Sequence, residues 1–438
     1  MQQNVLKHIF NKLNQRHIKY IMRKNIKFLL LLVCLLGKLA TSVNAQENNS
    51  IVIGSIDSIN SQILKEQRKI WVHVPASSKN LSVKKKYPVI YLLDADWNFS
   101  SVIGMTDFLS SINGNAYCPE MIVVAIPNTN RGRDLTPTHV APGGWIDSGF
   151  SRISGGGEAF ISFIEKELMP HVDSLYPTTH YRMLIGHSLG GLTVINTLVH
   201  HKNLFNSYVA IDPSMWWDKQ KLLRETENAM KTNSYNGTAI FLGMANTMPP
   251  RMDSGSVQLD TTDGSIHPRS ILQLSRYIMS NPHNGLQAGY KYYDDDTHSS
   301  VPFITTYDAL HFIFKDYRLD NYFGDATFKL DSFLTTHYSN ISSKYGITSE
   351  EGKTLLPPED VVINAGYHSV ENKHFKQAED LYKMNIKNYP DRSRTYDFLG
   401  DMYVAMGDKT SAIATYKKSL SLKESIETRK KLAKLEAK

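Results

Sequence analysis

The stretch Gly186-His187-Ser188-Leu189-Gly190-Gly191 has the spacing that can turn a serine hydroxyl into a nucleophile. Gly-x-Ser-x-Gly works when a short apolar strand precedes it and a helix follows. The serine then sits on a sharp, strained turn with its hydroxyl exposed at the carboxyl edge of a parallel sheet. Both flanks are present here, the apolar run 181–185 before it and Leu192-Thr-Val-Ile-Asn-Thr-Leu-Val199 after it. A serine hydroxyl is a weak nucleophile until a base takes its proton, so the same logic demands a histidine. Where a sheet presents serine in this way, the acid and then the histidine follow it along the chain. His298, just after the run ending at Tyr292-Tyr293, fits that order. His267, His283 and His311 are rivals, the first two standing before the last expected strand.

The acid is expected on the loop after the run 238–245, yet Asn246, Thr247 and Met248 come first. Asp253 is the first carboxylate there and the preferred partner of His298. Asp260, Asp263, or a serine–histidine pair helped by Asn246 or a backbone carbonyl stay open as alternatives. The Asp294–Asp296 cluster reads as a solvated turn. Backbone amides of Leu189 and Asp96 would form the oxyanion hole, the latter on the loop Leu93-Asp94-Ala95-Asp96-Trp97. Trp216 and Trp217 would line an aromatic wall, one of them in the core and one at the pocket. Trp97, His187 and Arg131 are further candidates for substrate contact, Arg131 through its charge, whereas Arg133 and Asp134 can also form a purely structural pair. There is no His-Glu-x-x-His, no Cys-x-x-Cys and no phosphate-binding loop, so neither a metal nor a cofactor is expected.

Stepping out from these residues, near-continuous apolar runs predict strands at 69–74, 88–93, 121–126, 183–185, 207–211, 238–242 and 286–292. Such runs suit a parallel sheet covered on both faces, and with intervening helical stretches they predict an α/β fold. Residues 158–176 are apolar at helical spacing.

Residues 1–45 look like a signal peptide: Arg23, Lys24 and Lys27 precede an apolar run, and Val43-Asn44-Ala45 offers a cleavage site. Met22 would give a leader of ordinary length, making 1–21 an upstream extension. The apolar run is too short for a stable membrane anchor. These 45 residues hold eight Lys/Arg and no Asp/Glu, so removing their +8 from the total of +7 leaves the remainder at −1. That balance argues against nucleic-acid binding. The expected location is periplasmic or secreted. Cys118 is the only cysteine outside the leader, so no intrachain disulfide is expected.

The last hundred residues repeat at an offset of 34: Gly366 with Gly400, Ala378 with Ala412, Tyr382 with Tyr416. Paired helices with small residues at their crossings resemble tetratricopeptide repeats, whose exposed faces hold protein partners. Two repeats are marginal alone, so docking on the main domain or on a partner is expected. The resulting division is 46–340 for the α/β domain, 341–358 for a linker and 359–438 for the repeats.

Several of these pieces, taken in order along 51–315, resemble the esterase D-like group of α/β-hydrolases. That group includes ferric-siderophore, feruloyl and acetyl-xylan esterases and S-formylglutathione hydrolase. The pieces are Arg68-Lys-Ile-Trp-Val-His-Val-Pro75, Tyr87-Pro-Val-Ile-Tyr-Leu-Leu-Asp94, Arg131-Gly-Arg-Asp-Leu-Thr-Pro137, Ser154-Gly-Gly-Gly157, Gly186–Gly191 and Asp212-Pro-Ser-Met-Trp-Trp217. The group's Leu-Asp-Gly becomes Leu93-Asp94-Ala95 here, and its acid after the late strand is missing; its siderophore esterases are similar to a serine–histidine arrangement with a weak or absent acid. The resemblance implies an α/β-hydrolase fold and cleavage of a carboxylic ester through an acyl-enzyme. A siderophore lactone and a feruloyl or acetyl ester on polysaccharide are the substrates implied. Two other outcomes are acyl transfer to another acceptor, and a non-catalytic binding or assembly protein in which the repeats carry function.

Overall fold

The computed structural model describes residues 50–79, 85–112, 116–280, 284–319, 327–348 and 354–437. The expected leader and His283 lie outside those residues. Eight strands form one sheet: β1 (Ser55–Ser61), β2 (Glu66–His73), β3 (Tyr87–Leu93), β4 (Ile122–Ile126), β5 (Thr178–His187), β6 (Ser207–Ile211), β7 (Ala239–Ala245) and β8 (Gln287–Tyr293). Their order is β1-β2-β4-β3-β5-β6-β7-β8. β1 and β2 pair antiparallel, β2 meets β4 antiparallel, and every remaining pairing is parallel. This is the α/β-hydrolase arrangement.

The sequence pattern dictates most of it. β3, β4, β6 and β7 are buried at every position, as strands covered by helices on both faces must be. Alternate side chains feed two apolar layers. Tyr91, Leu184 and Tyr208 join one with the Leu189–His200 helix, and Ile90, Met183 and Val209 join the other with the Val301–Ile313 helix. β1 is the strand the periodicity does not announce. Its run Ser-Ile-Asp-Ser-Ile-Asn-Ser carries only two apolar residues, and its place at the sheet edge leaves it largely exposed. The helical spacing at 158–176 appears as helices Gly157–Phe163 and Met169–Leu175, joined through one π turn.

Beyond the sheet, helix Leu330–Tyr345 runs straight across the expected boundary at 340. Tyr345 packs edge-on against Tyr181 of β5 at 4.9 Å, and Ile347 is buried in the same layer, so the chain just past 340 belongs to the sheet domain. Near the start of that helix, Leu330 and Leu334 share an apolar cluster with Val362, Ala365 and Leu381. The following helices, Glu359–Glu371, Phe375–Asn388, Ser393–Met406, Lys409–Leu422 and Ile426–Glu436, stack in sequence. The 34-residue offset has a physical basis. A Cβ at Gly366 would lie 2.4 Å from the Tyr382 ring, and one at Gly400 would lie 2.5 Å from the Tyr416 ring. Only glycine allows each tyrosine to lie against the preceding helix.

Truncating Tyr416 would leave a cavity and strip the bond its hydroxyl donates to Asp401. Tyr416→Ala should therefore cost on the order of 3 kcal/mol. The check is an earlier unfolding transition together with faster proteolysis within residues 393–437; unchanged unfolding would refute this account of the repeat.

Candidate active site

Ser188 sits between β5 and helix Leu189–His200 at φ 57, ψ −113, a backbone state unfavourable for an L-residue. Its neighbours impose that state. The Ser188 amide donates to the Ile211 carbonyl at 2.9 Å, and the Ser188 carbonyl accepts from Leu192 at 2.9 Å. A Cβ at Gly186 would come within 2.4 Å of the Gly190 carbonyl oxygen, so the turn closes only with glycine there. The Ser188 hydroxyl lies 3.2 Å from that of Ser214, its hydrogen-bond partner in this arrangement.

The carboxylate beside His298 is not the expected one. His298 Nδ1 lies 2.6 Å from Oδ2 of Asp212, the first residue after β6. Asp253 is exposed, and its Oδ1 instead accepts from Gly255 and Ser256, fixing its own turn. Asp260 accepts from Thr262, and Asp263 lies on an exposed turn. Asn246 does serve the histidine loop, by donating its side-chain amide to the Asp294 carbonyl and its backbone amide to that of Asp296. In the sequence Asp212 opens the segment Asp212-Pro-Ser-Met-Trp-Trp, where the tryptophan pair is the more conspicuous feature. The signal was an acid directly following a fully apolar strand next to the serine's own strand, where water cannot reach it.

Asp212 has no exposed surface and takes φ 41. Its Oδ1 accepts from the Ala245 amide at 2.9 Å, and its Oδ2 also lies 3.0 Å from Nε2 of His267. Burial pushes the carboxyl upward, but the hydrogen bonds from His267 and His298, with the charge of His267 and the Ala245 amide, outweigh it. The group is held well below the ordinary carboxylate range. His267, set aside on chain order, is thus brought into the site, whereas His311 packs between Tyr117 and Tyr307. Asp212, His267 and His298 offer three ligand atoms within 4.8 Å of one another, a donor set that suits zinc. The nitrogens concerned, Nε2 of His267 and Nδ1 of His298, are already engaged with the carboxylate.

Two helices begin at the serine. The Leu189–His200 helix starts immediately after Ser188, and the Ala95–Ser110 helix starts after Asp94, at φ 53. First-turn amides have no carbonyl partner within their own helix, which leaves those of Leu189, Ala95 and Asp96 available to an anion. The two starts adjoin, since a Cβ at Gly190 would lie 3.1 Å from Asp94 Oδ2.

Arg131 does not stand ready for an anionic ligand. Its guanidinium grips buried Asp94, Nε to Oδ1 at 2.7 Å and Nη2 to Oδ2 at 3.1 Å, and reaches the His187 carbonyl at 3.4 Å. Trp97 is exposed, with its ring centre 5.6 Å from that guanidinium, and lines neither cleft described below. Arg133 forms the structural pair with Asp134 and also bonds Glu66.

A cleft of about 300 Å³ joins Ser188, His298, His267, Ser214, Trp216 and Trp145. Trp145 meets Trp216 edge to face at 5.2 Å, and both also border a neighbouring cleft of about 630 Å³. Trp217 is buried, and its indole donates to Thr138, so the tryptophan pair divides between core and cleft. His187 lines neither cleft and lies behind His298, ring centres 4.4 Å apart.

The family profile described as "Putative esterase" matches residues 61–247. The chain is similar to the ferri-bacillibactin esterase of Bacillus subtilis, 34% identical over 179 residues that make up 36% of this chain and 58% of that protein. It is 29% identical over 157 residues to the siderophore triacetylfusarinine C esterase of Aspergillus fumigatus, covering 33% of this chain and 50% of that one. The chain thus spans only between half and three fifths of these relatives. An IroE-like serine hydrolase from Shewanella oneidensis, known as a crystal structure, superposes with a TM-score of 0.61 at 28% identity. The match covers 76% of this chain and 98% of that one.

Burial and the neighbouring His298 push the His187 imidazole down from 6.5 to about 4, with Asp94 and Asp212 opposing. The unfolded chain takes up this proton first as pH falls, so stability is lost between pH 6.5 and 4. His187→Gln should lose less over that window, read as the urea midpoint at pH 7 against pH 4.5. An identical loss in both proteins would contradict this assignment.

Proposed function

We propose that this chain is a serine hydrolase that cleaves carboxylic esters through an acyl-enzyme, with a siderophore ester as its substrate. The observation that carries the reading is one constellation. A serine on a strained strand-to-helix turn shares a cleft with a histidine whose far nitrogen is bonded to a buried carboxylate. The relatives named as siderophore esterases supply the substrate class.

In the proposed reaction the Ser188 hydroxyl turns from Ser214 toward His298 Nε2 and attacks the ester carbonyl while His298 accepts its proton. Asp212 holds Nδ1–H and stabilises the imidazolium as it forms. The oxyanion is received by the amide of Leu189 and by one at the start of the Ala95–Ser110 helix, at Ala95 or Asp96. His298 then protonates the departing alcohol. Water, deprotonated by the same histidine, releases the acid and restores Ser188. Trp216 and Trp145 form the aromatic wall of the cleft. The Arg131–Asp94 pair acts indirectly, by holding the turn between β3 and the oxyanion helix.

The chain is proposed to work in the periplasm or outside the cell. Among the described residues no helix is long and apolar enough to cross a membrane. The C-terminal helix pairs are proposed as tetratricopeptide-like repeats offering a face to a protein partner.

The test is hydrolysis of p-nitrophenyl acetate, followed by a panel of siderophore lactones, feruloyl sugars and acetylated sugars. Ser188→Ala should abolish turnover and fluorophosphonate labelling. Asp212→Asn should lower kcat by roughly 10²- to 10⁴-fold, while Asp253→Asn stays near wild type. Turnover that survives Ser188→Ala, or a loss at Asp253 in place of Asp212, would overturn the reading. Preference for feruloyl or acetyl sugars would move the substrate class.

A further inference from the structure

We infer that His267 is a positioning residue for this reaction, the second imidazole on Asp212, which fixes the carboxylate so that His298 is held in one orientation and tautomer. The inference rests on the assignment of His298 and Asp212 proposed above, and it gives His267, a rival base in the sequence, a different role.

A carboxylate held by a single histidine can rotate about its own Cβ–Cγ bond and exchange its two oxygens. Asp212 is restrained against this from two sides. The Ala245 amide takes Oδ1 at 2.9 Å, and Nε2 of His267 lies 3.0 Å from Oδ2, the oxygen that also serves His298. Turning the carboxylate would break all three bonds in an environment where nothing replaces them. Nε2 of His267 must carry a proton to donate here. Its Nδ1 is buried without a hydrogen-bond partner among the described residues, so the ring makes this one polar contact. His267 is 8% exposed and is the second residue of helix Ile266–Met279, so its backbone is set by that helix and not by a free loop. Its ring also stands nearly perpendicular to that of His298, 83° at 5.4 Å between centres, which limits how His298 can tilt. His298 meets the same oxygen through Nδ1, and its ring lines the cleft it shares with Ser188. Outer partners of this kind orient a reacting imidazole without touching the substrate.

The experiment compares His267→Gln, whose side-chain amide can donate from the place of Nε2, with His267→Leu, which cannot donate. Each is made in the full chain. For p-nitrophenyl acetate, His267→Leu should lower kcat roughly 10- to 100-fold with KM changed less than about twofold, and His267→Gln should recover most of the loss. Thermal unfolding of both variants separates this from a packing defect, because a structural role would follow Tm and not the presence of a donor. A readout independent of turnover is the downfield proton resonance of the His298 Nδ1–H. It should be sharp in the wild type and in His267→Gln, and broadened or absent in His267→Leu. A Leu variant with wild-type kcat and an intact resonance would overturn the inference, as would a Gln variant as impaired as the Leu one at equal Tm. If the wild type shows no turnover that depends on Ser188, the ester-hydrolase reading fails, and the resonance alone still decides whether His267 orients the pair.

Discussion

The buried carboxylate of Asp212 is the constraint around which the rest of the site is arranged. An ionised group with no contact with water is tolerable only when hydrogen bonds replace its hydration, and three donors from three parts of the fold do so here. The end of β7 gives an amide, the start of the Ile266–Met279 helix gives one imidazole, and the loop after β8 gives the other. Because each donor is needed, the acid draws these segments together at the carboxyl edge of the sheet. The β6 loop that carries it also reaches the serine turn, where the Ser214 amide donates to the Ser188 carbonyl. Strain at Ser188 is therefore held in place by packing from both sides.

Beside this lies a second buried ion pair with a mechanical character. Asp94 occupies a left-handed turn beside the start of the Leu189–His200 helix, and the Arg131 fork neutralises its carboxylate. One guanidinium thereby ties the β3 turn to the last carbonyl of β5, so the two helix starts proposed to receive the oxyanion keep a fixed spacing.

Much of this was legible in the residues. Continuous apolar runs gave the parallel strands because a doubly covered strand has no polar face to disguise it, and β1 escaped because an exposed edge strand needs few apolar residues. Gly-x-Ser-x-Gly led to the strained serine because its backbone requirement is local. His298 followed from chain order. The acid did not, because which carboxylate meets a histidine depends on how two strands lie side by side, and order alone assigned the duty to the loop after β7. His267 reads as a rival base and not as a partner of the acid for the same reason: it stands at a helix start, and only the folded chain brings that start to Asp212. Arg131 shows the reverse case: a cation near a sheet edge reads as a ligand contact, and only the fold reveals its buried partner Asp94. The offset of 34 in the C-terminal helices was readable because glycine and tyrosine there obey one local packing rule, whereas helix Leu330–Tyr345, which fastens those helices to β5, carries no repeat to reveal it.

A carboxylate directly after β6 has a consequence for how the molecule can change. The long segment between β7 and the Ile266–Met279 helix holds no member of the Asp212–His298 pair, yet Asp263 and Gly264 on it border the two clefts. Within it, only Asn246, which braces the histidine loop, and the junction with His267 bear on the 2.6 Å contact between Asp212 and His298. The carboxylate–imidazole pair and this border of the clefts are thus written largely on separate stretches of chain, which leaves the shape of the clefts free to drift while the pair beneath them stays fixed.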